Sequence, residues 1–220
     1  MTALAALGVF NYGLVLIYGL FLSVFISGGW ETHRQRAMVF TACPIFLLIQ
    51  SFFWLMYSVD TAKRLYPRIV HLPLVLILIF VLKKRTGVAV VSVCTAYLCC
   101  QLPRWVNLVV TAVTQSPLAG EISYTLVIVP IFILLCRLFV RPAYAAMTAS
   151  PNSLLLFGSL PVAYYFFDYA TVIYSDALYR SDGAINEFLP TVLITFYVMF
   201  LTAYHVQSTR RAETEMQNSM

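Results

Sequence analysis

The segment LAALGVFNYGLVLIYGLFLSVFI, residues 4–26, contains no charged side chain and only a few polar ones. An α-helix needs about 20 predominantly apolar residues to cross the ~30 Å hydrocarbon core of a bilayer. The segment meets that requirement, lacks the basic flank of a secretory signal peptide and is too long to be the apolar region of one. It therefore predicts a membrane-spanning helix, and the rest of the chain repeats its pattern.

The composition of the whole chain is that of a membrane protein. Of its 220 residues, 61% are hydrophobic and 10% are charged, and the mean hydropathy is +0.84. A soluble protein of this length could not remove so much apolar side chain from water. The apolar runs are long and continuous, which favours helices over the alternating strands of a membrane barrel.

We predict an all-α integral membrane protein, a bundle of about seven transmembrane helices. The predicted spans are residues 4–26, 37–57, 69–82, 87–113, 122–140, 153–177 and 187–206. The third span is the least regular, because its apolar run is short and it contains His71 and Pro73.

The Lys and Arg residues of the short loops predict the orientation, because they accumulate on the cytoplasmic side. With the N-terminus outside, nine fall in the cytoplasm: Arg34, Arg36, Lys83, Lys84, Arg85, Arg137, Arg141, Arg210 and Arg211. Four fall outside: Lys63, Arg64, Arg68 and Arg180. We therefore expect a cytoplasmic C-terminus. The net charge of +5 is mostly this topology signal, and no motif indicates binding to nucleic acid.

The sequence contains no motif typical of a catalytic site or of a cofactor site. The five cysteines all lie in apolar segments without metal-ligand spacing, so we expect packing residues, with no disulfide and no metal site. The three histidines lie at or near the boundaries of predicted spans, and there is no glycine-rich phosphate loop. The seventh span has no lysine that could carry retinal. We expect no catalysis in this chain and no cofactor.

Two charges lie well inside predicted spans, away from the span ends. Arg104 lies in the sequence LPRW at 102–105, where an arginine at the bilayer centre costs at least ~2.5–3.5 kcal/mol. Asp168 lies in the sequence YYFFDY at 164–169 of the sixth span. At ~1.5 Å per residue the two differ in height by roughly 3 Å, so their side chains can meet in the outer half of the membrane.

Polar residues share a helix face with each of these charges. The face of Arg104 carries Tyr97, Gln101, Thr111 and Gln115, and that of Asp168 carries Tyr164, Thr171 and Ser175. Either the Arg–Asp pair is structural and fixes helix register, or the bundle interior is wet and binds a ligand. Tyr164, Tyr165 and Tyr169 belong either to an outer aromatic belt or to a pocket wall.

Other polar residues carry weaker signals. Asn11 and Gln50, each within a span, predict hydrogen bonds between helices. Glu187 opens the seventh span, where its charge either stabilises the helix N-terminus or recognises a basic or peptide ligand. We expect residues 1–206 to form the transmembrane bundle and residues 207–220 to begin a cytoplasmic linker helix. In that linker, Thr209, Ala212, Met216 and Met220 form either a short coiled-coil seam or part of a frayed tail.

Several motifs in the last third of the chain resemble one family. They are LPVAYYFFDY at 160–169, Tyr174-Ser175, EFLP at 187–190, and Arg210-Arg211 before a Glu/Gln-rich stretch. Over residues 157–220 they resemble bacterial sensor histidine kinases with a multi-helix membrane domain, a coiled linker and a GHKL-type ATP-binding domain. The first five spans resemble these kinases only in layout. The kinases themselves are related in layout to the peptide-pheromone receptor kinases of Gram-positive bacteria.

The resemblance implies a signal-sensing domain in a bacterial plasma membrane, with a homodimer formed through the C-terminal helix. The ligand would come from outside the cell or from the membrane, and a peptide is compatible. The candidate ligand or signalling residues are Arg104, Asp168, Gln101, Tyr164, Tyr165, Tyr169 and Glu187. The chain contains no phosphoacceptor helix and no ATP-binding motif, so kinase activity would belong to a longer protein. A small membrane substrate-binding or transport protein is the alternative.

Overall fold

The computed structural model of the chain describes residues 3–57, 59–170, 197 and 215–217. This part is almost entirely helical and contains no strand. Its helices are α1 (Ala3–Ile26), α2 (His33–Met56), α3 (Val59–Tyr66), α4 (Leu72–Leu76), α5 (Thr86–Cys99), α6 (Gln101–Thr114), α7 (Pro117–Leu138), α8 (Val140–Ala149) and α9 (Pro151–Asp168). Two π-helical turns, Pro67–His71 and Ile77–Val81, flank α4.

Five helical segments among the described residues are long and apolar enough to cross a membrane. They are Leu4–Ile26, His33–Met56, Arg64–Val81, Thr86–Thr114 and Pro117–Leu138. These correspond to the first five predicted spans, so the all-α character is confirmed and five of the predicted spans are helices of membrane-crossing length and apolarity. Helix α9 occupies the start of the sixth predicted span. The rest of that span beyond residue 170, the seventh span except residue 197, and the linker except residues 215–217 lie outside the described residues, and the count of seven stays a prediction.

Helix α7 begins before the predicted start of its span at residue 122. The Ser116 side chain accepts a hydrogen bond from the backbone N–H of Ala119 at 3.3 Å and so caps the helix. Pro117 takes the first helical position, where a missing N–H has no cost. Helix α9 begins with the same Ser-Pro pair. As a result Glu121, which the apolar pattern leaves outside the span, lies within a transmembrane helix.

The predicted fourth span consists of two helices, α5 and α6, which meet at Cys100. Pro103 contributes to the break, because it has no N–H to donate to the Cys99 carbonyl four residues earlier. The Tyr18 hydroxyl of α1 donates to that carbonyl instead, at 3.1 Å. The polar group that the proline frees in the apolar interior is therefore paired.

A second proline is accommodated in the same way. Pro161 in α9 frees the Phe157 carbonyl, and the Tyr197 hydroxyl donates to that carbonyl at 3.1 Å. Tyr197 is buried, and its ring centroid lies 4.9 Å from that of Phe157. Proline in α6 and in α9 is thus matched by a tyrosine from elsewhere in the chain.

Helix α1 contacts α2, α5, α7 and α8. It runs parallel to α7, because Asn11 bonds to Glu121 near the start of both helices while the Tyr18 and Phe132 rings meet farther along, at 5.5 Å. The fourth span runs antiparallel to both. Helix α2 lies at the periphery, where Leu48 is 71% exposed, as expected for a side chain that faces lipid.

Candidate functional site

A cavity of about 450 Å³ lies between α1, the third span, α5, α6 and α7. Its wall consists of Gly8, Asn11, Tyr12, Val15, Leu16, Gly19, Leu20, Ser23, Tyr66, Val70, His71, Leu74, Val93, Ala96, Tyr97, Cys100, Gln101, Arg104, Asn107, Leu108, Glu121, Tyr124 and Tyr169. On α1 these residues recur at alternate spacings of three and one from Gly8 to Ser23, so one continuous face of that helix borders the cavity.

One end of the cavity holds a carboxylate fixed by amide groups. The Asn11 Nδ2 donates to the Glu121 Oε2 at 2.6 Å, and the Asn107 Nδ2 donates to the Glu121 Oε1 at 3.1 Å. The Thr125 hydroxyl donates to the Asn11 Oδ1 at 2.7 Å, which orients the amide. This cluster joins α1, α6 and α7 and holds an acidic group inside the apolar bundle, a placement that is costly and marks functional sites in membrane proteins.

Arg104 borders the cavity one helical turn before Asn107. Its guanidinium acts electrostatically on both the Asp168 carboxyl and the Tyr124 hydroxyl. Glu121 also acts on Tyr124, so the cationic and anionic side chains lie at the same end of the cavity. Gln101, one turn before Arg104, adds a neutral polar group to this wall.

Aromatic side chains form the middle of the wall and connect it to α9. The Tyr97 hydroxyl donates to the Asp168 Oδ2, and the Tyr164 hydroxyl lies 3.5 Å from the Asp168 Oδ1. The His71 Nδ1 and the Tyr165 hydroxyl are 2.8 Å apart. Three residues of α9 thus contact side chains of the third span or of α5. Tyr169, just beyond α9, lines the cavity itself.

The structure brings six of the seven predicted candidates into this region. Arg104, Gln101 and Tyr169 line the cavity, whereas Asp168, Tyr164 and Tyr165 lie behind its wall and contact it. The seventh candidate, Glu187, lies outside the described residues. Arg104 and Asp168 share one neighbourhood, as their similar heights predicted, and the hydrogen bonds identified for Asp168 come from tyrosines.

Two members of the predicted polar faces have other positions. Thr111 donates to Asn107 at 3.3 Å and so supports the amide cluster from outside the cavity wall. Gln115 ends α6 with φ of 53°, and its side chain donates to the Ala112 carbonyl of the same helix. Thr171 and Ser175 lie outside the described residues.

The expectation that all three histidines lie near span boundaries is wrong for His71. The third span begins at Arg64 instead of residue 69, which places His71 well inside it, on the cavity wall. The rings of Tyr66, Tyr97 and Tyr165 surround it with centroids 5.0, 5.4 and 5.4 Å away. The charged residues before the apolar run concealed this start, because they resemble a loop.

The predicted interhelical roles of Asn11 and Gln50 are confirmed. Asn11 bonds across to α7, and the Gln50 Nε2 of α2 donates to the Tyr12 carbonyl of α1 at 3.0 Å. The participation of Asn11 in a charged cluster was not foreseen, nor was that of Asn107 and Glu121. The position of Asn107, three residues after Arg104, was the signal that could have identified it.

The described residues offer no group of three or more His, Cys, Asp or Glu side chains that could hold a metal ion. All five cysteines have free thiols. The polar groups of the cavity wall belong to charged, amide and aromatic side chains. Comparison of the chain with protein-family models, with curated proteins and with solved structures gave no match.

Proposed function

We propose that this chain is a ligand-sensing membrane domain in which occupation of the cavity is transmitted through α9. The observation that carries the proposal is the set of contacts between α9 and the cavity wall. Asp168 accepts a hydrogen bond from Tyr97, which lines the cavity, and Tyr165 contacts His71, which also lines it. A ligand that moves either wall residue changes the contacts of α9.

Transmission of this kind requires two states of the bundle that differ in affinity for the ligand. In the described state Asp168 is 7% exposed, and its carboxyl is held by tyrosine hydroxyls. A ligand group that engages Arg104 changes the electrostatic environment of Asp168, because the two side chains interact. The buried pair of Tyr97 and Asp168 would then exist in two arrangements, one for the empty and one for the occupied cavity.

The finer proposal follows from the resemblance to GHKL-type sensor histidine kinases. It comprises seven spans in a bacterial plasma membrane, an external N-terminus, a cytoplasmic C-terminus and a homodimer joined through the linker helix of residues 207–220. Kinase activity would belong to a longer protein that contains this chain. The cavity inside the bundle and its contacts with α9 support this proposal, because a sensor needs a binding site joined to an element that transmits the signal.

A transport function is the second candidate, and the junction of α5 and α6 within the fourth span favours it. Discontinuous membrane helices commonly form the substrate sites of transporters. Here α5 and α6 meet at Cys100, and Cys100, Gln101 and Arg104 all line the cavity. Uptake of a solute into vesicles that contain only this chain would support transport and contradict a purely sensory role.

The coding sequence beyond residue 220 separates these proposals first. Continuation of the reading frame into a phosphoacceptor helix and an ATP-binding domain supports the sensor kinase. A stop codon directly after residue 220 contradicts it.

The signalling test uses the full-length protein and a transcriptional reporter of its output. We expect Arg104→Ala and Asp168→Ala to abolish the response to the inducing stimulus, because each removes one side of the electrostatic link to α9. Arg141→Ala, at an exposed position on α8, is the matched control and should respond normally. Normal responses from both Arg104→Ala and Asp168→Ala would contradict the proposal.

A test that needs no ligand fills the cavity. Leu20→Trp places a larger side chain at a buried lining position, and we expect it to shift the basal output toward the occupied state. Leu48→Trp, at a lipid-facing position of α2, should leave the output unchanged. Identical output from the two variants would contradict transmission from the cavity.

A further inference from the structure

The two ends of the cavity differ in chemistry. Asn11, Arg104, Asn107 and Glu121 are near the start of α1, on α6 and on α7. Because α5 and α6 run antiparallel to α1, the later residues of α1 meet the earlier residues of α5. That opposite end is lined by aliphatic residues, among them Leu16, Leu20, Leu74 and Val93. Its Ser23 hydroxyl is already bonded to the Gly19 carbonyl of its own helix at 2.7 Å.

The cavity is long relative to its volume. Its lining on α1 extends over the 16 residues from Gly8 to Ser23, or ~22 Å of helix. Its lining on α5 and α6, from Val93 to Leu108, has the same length. A linear molecule fits this shape better than a compact one.

The charged end is suited to a head group that carries both signs. Arg104 offers a guanidinium, whose planar donors match carboxylate and phosphate oxygens. Glu121 offers a carboxylate that two neutral amides hold in place. Tyr124, which lines the same wall, interacts electrostatically with both side chains. Both charged side chains therefore lie near one residue of the cavity wall.

We infer that the cavity binds a linear zwitterionic amphiphile, with its head between Arg104 and Glu121 and one apolar chain along Leu16, Leu20, Leu74 and Val93. This inference rests on the proposed ligand-binding role of the cavity and specifies the class of ligand. The anionic group of the head contacts Arg104, its cationic group contacts Glu121, and the apolar chain passes the tyrosines at the middle of the wall. Contact with Tyr97 and Tyr169 there would place the ligand beside the residues that adjoin α9.

The test uses a photoactivatable probe on the chain reconstituted in phosphatidylcholine nanodiscs. The probe is dodecylphosphoethanolamine with a diazirine at the terminal carbon of its chain, and mass spectrometry identifies the labelled peptides. We expect labelling of peptides that contain Leu20, Leu74 or Val93. We also expect unlabelled dodecylphosphoethanolamine to compete at least tenfold better than dodecylamine, dodecanoate or phosphoethanolamine, because each of these lacks a charge or the chain.

The source of the amphiphile is tested in the same assay. Dilauroyl phosphatidylethanolamine has the same head group and two chains, so a site for a single apolar chain predicts competition at least tenfold weaker than that of the single-chain compound. Equal competition by the two would overturn the assignment of a single-chain ligand.

Variants locate the two ends of the ligand. Arg104→Ala, Glu121→Gln and Leu20→Trp should each reduce labelling at least tenfold, whereas the controls Arg141→Ala and Leu48→Trp should not change it. Arg104→Lys, which keeps the charge, should retain more labelling than Arg104→Ala. Circular dichroism checks the fold of every variant, and Leu20→Trp alone suffices if Arg104→Ala does not fold.

Two results would overturn the inference in different ways. Labelling confined to lipid-facing peptides such as that of Leu48, and unchanged by Leu20→Trp, would contradict any amphiphile in the cavity. Competition by phosphoethanolamine equal to that of the dodecyl compound would show that the chain is not recognised, and the ligand-sensing role would survive. Failure of Leu20→Trp to alter signalling, with the expected labelling intact, would contradict the sensing role alone.

Discussion

The pairing of Tyr18 with the carbonyl freed by Pro103 can be tested quantitatively. Tyr18→Phe removes the hydroxyl but keeps the ring that packs on Phe132. The buried Cys99 carbonyl then lacks its donor, and an unsatisfied buried group costs about 1–3 kcal/mol. Hydrogen bonds between membrane helices average ~0.6 and reach ~1.7 kcal/mol. We therefore expect the free energy of unfolding to fall by about 1–1.5 kcal/mol.

The physical reason for this loss predicts a coupling with the proline. Pro103→Ala restores a backbone N–H four residues after Cys99, which can bond to the same carbonyl as in an uninterrupted helix. In that background the Tyr18 hydroxyl is no longer the only donor. Tyr18→Phe should then cost less than about 0.5 kcal/mol, and the double-mutant cycle should give a coupling energy of about 1 kcal/mol.

The measurement is equilibrium unfolding of the purified chain in mixed micelles of dodecyl maltoside and sodium dodecyl sulfate, followed by circular dichroism. Tyr57→Phe is the control, because Tyr57 is 51% exposed and the change should have little effect on stability. An equal loss of stability from Tyr18→Phe in the wild-type and Pro103→Ala backgrounds would refute the reasoning. It would show that the hydroxyl stabilises the protein without replacing the missing N–H.

Two further predictions concern packing and the link to α9. Gly120→Ala should destabilise the protein by about 1–3 kcal/mol, because an added Cβ would lie 1.9 Å from the Thr111 Oγ1 and 2.9 Å from the Asn107 carbonyl oxygen. Gly8→Ala is its control, since no atom lies within 4 Å of that Cβ, and equal effects in the same unfolding assay would contradict the prediction. Tyr97→Phe should cost about 1–2 kcal/mol because the buried Asp168 carboxyl loses a donor. Tyr164→Phe should cost less, since its hydroxyl lies 3.5 Å away, at the limit of a hydrogen bond; the reverse order would exclude Tyr97 as the main donor.

The membrane character and the first five spans could be predicted because both are properties of local composition. A run such as residues 4–26 has to be helical in lipid whatever its neighbours are, since its backbone can pair only with itself. The position of Arg104 and Gln101 on one interior surface could also be predicted, because polar side chains at helical spacing within an apolar span need a common interior surface.

The remainder of the site depends on boundaries and on distant partners, which hydropathy does not encode. Glu121 was missed because a Ser-Pro start extends α7 beyond its apolar run. His71 was misplaced because the third span includes charged residues before its apolar core. The junction at Cys100 could not be predicted, because the Cys99 carbonyl that Pro103 leaves free is paired by Tyr18, a residue far away in sequence.

The two tyrosine–proline pairs have a mechanical consequence. A proline in a membrane helix is usually regarded as a hinge, because the missing hydrogen bond lowers the resistance to bending. Here a tyrosine hydroxyl from another part of the chain donates to the free carbonyl, so the bend of the helix depends on the position of that tyrosine. One hydrogen bond of this kind joins α1 to the fourth span, and the other joins Tyr197 to α9. We therefore expect α9 to move by sliding along α5 without a change in its own bend. The contact that allows this is the one where Gly158 of α9 approaches Val91 of α5 closely.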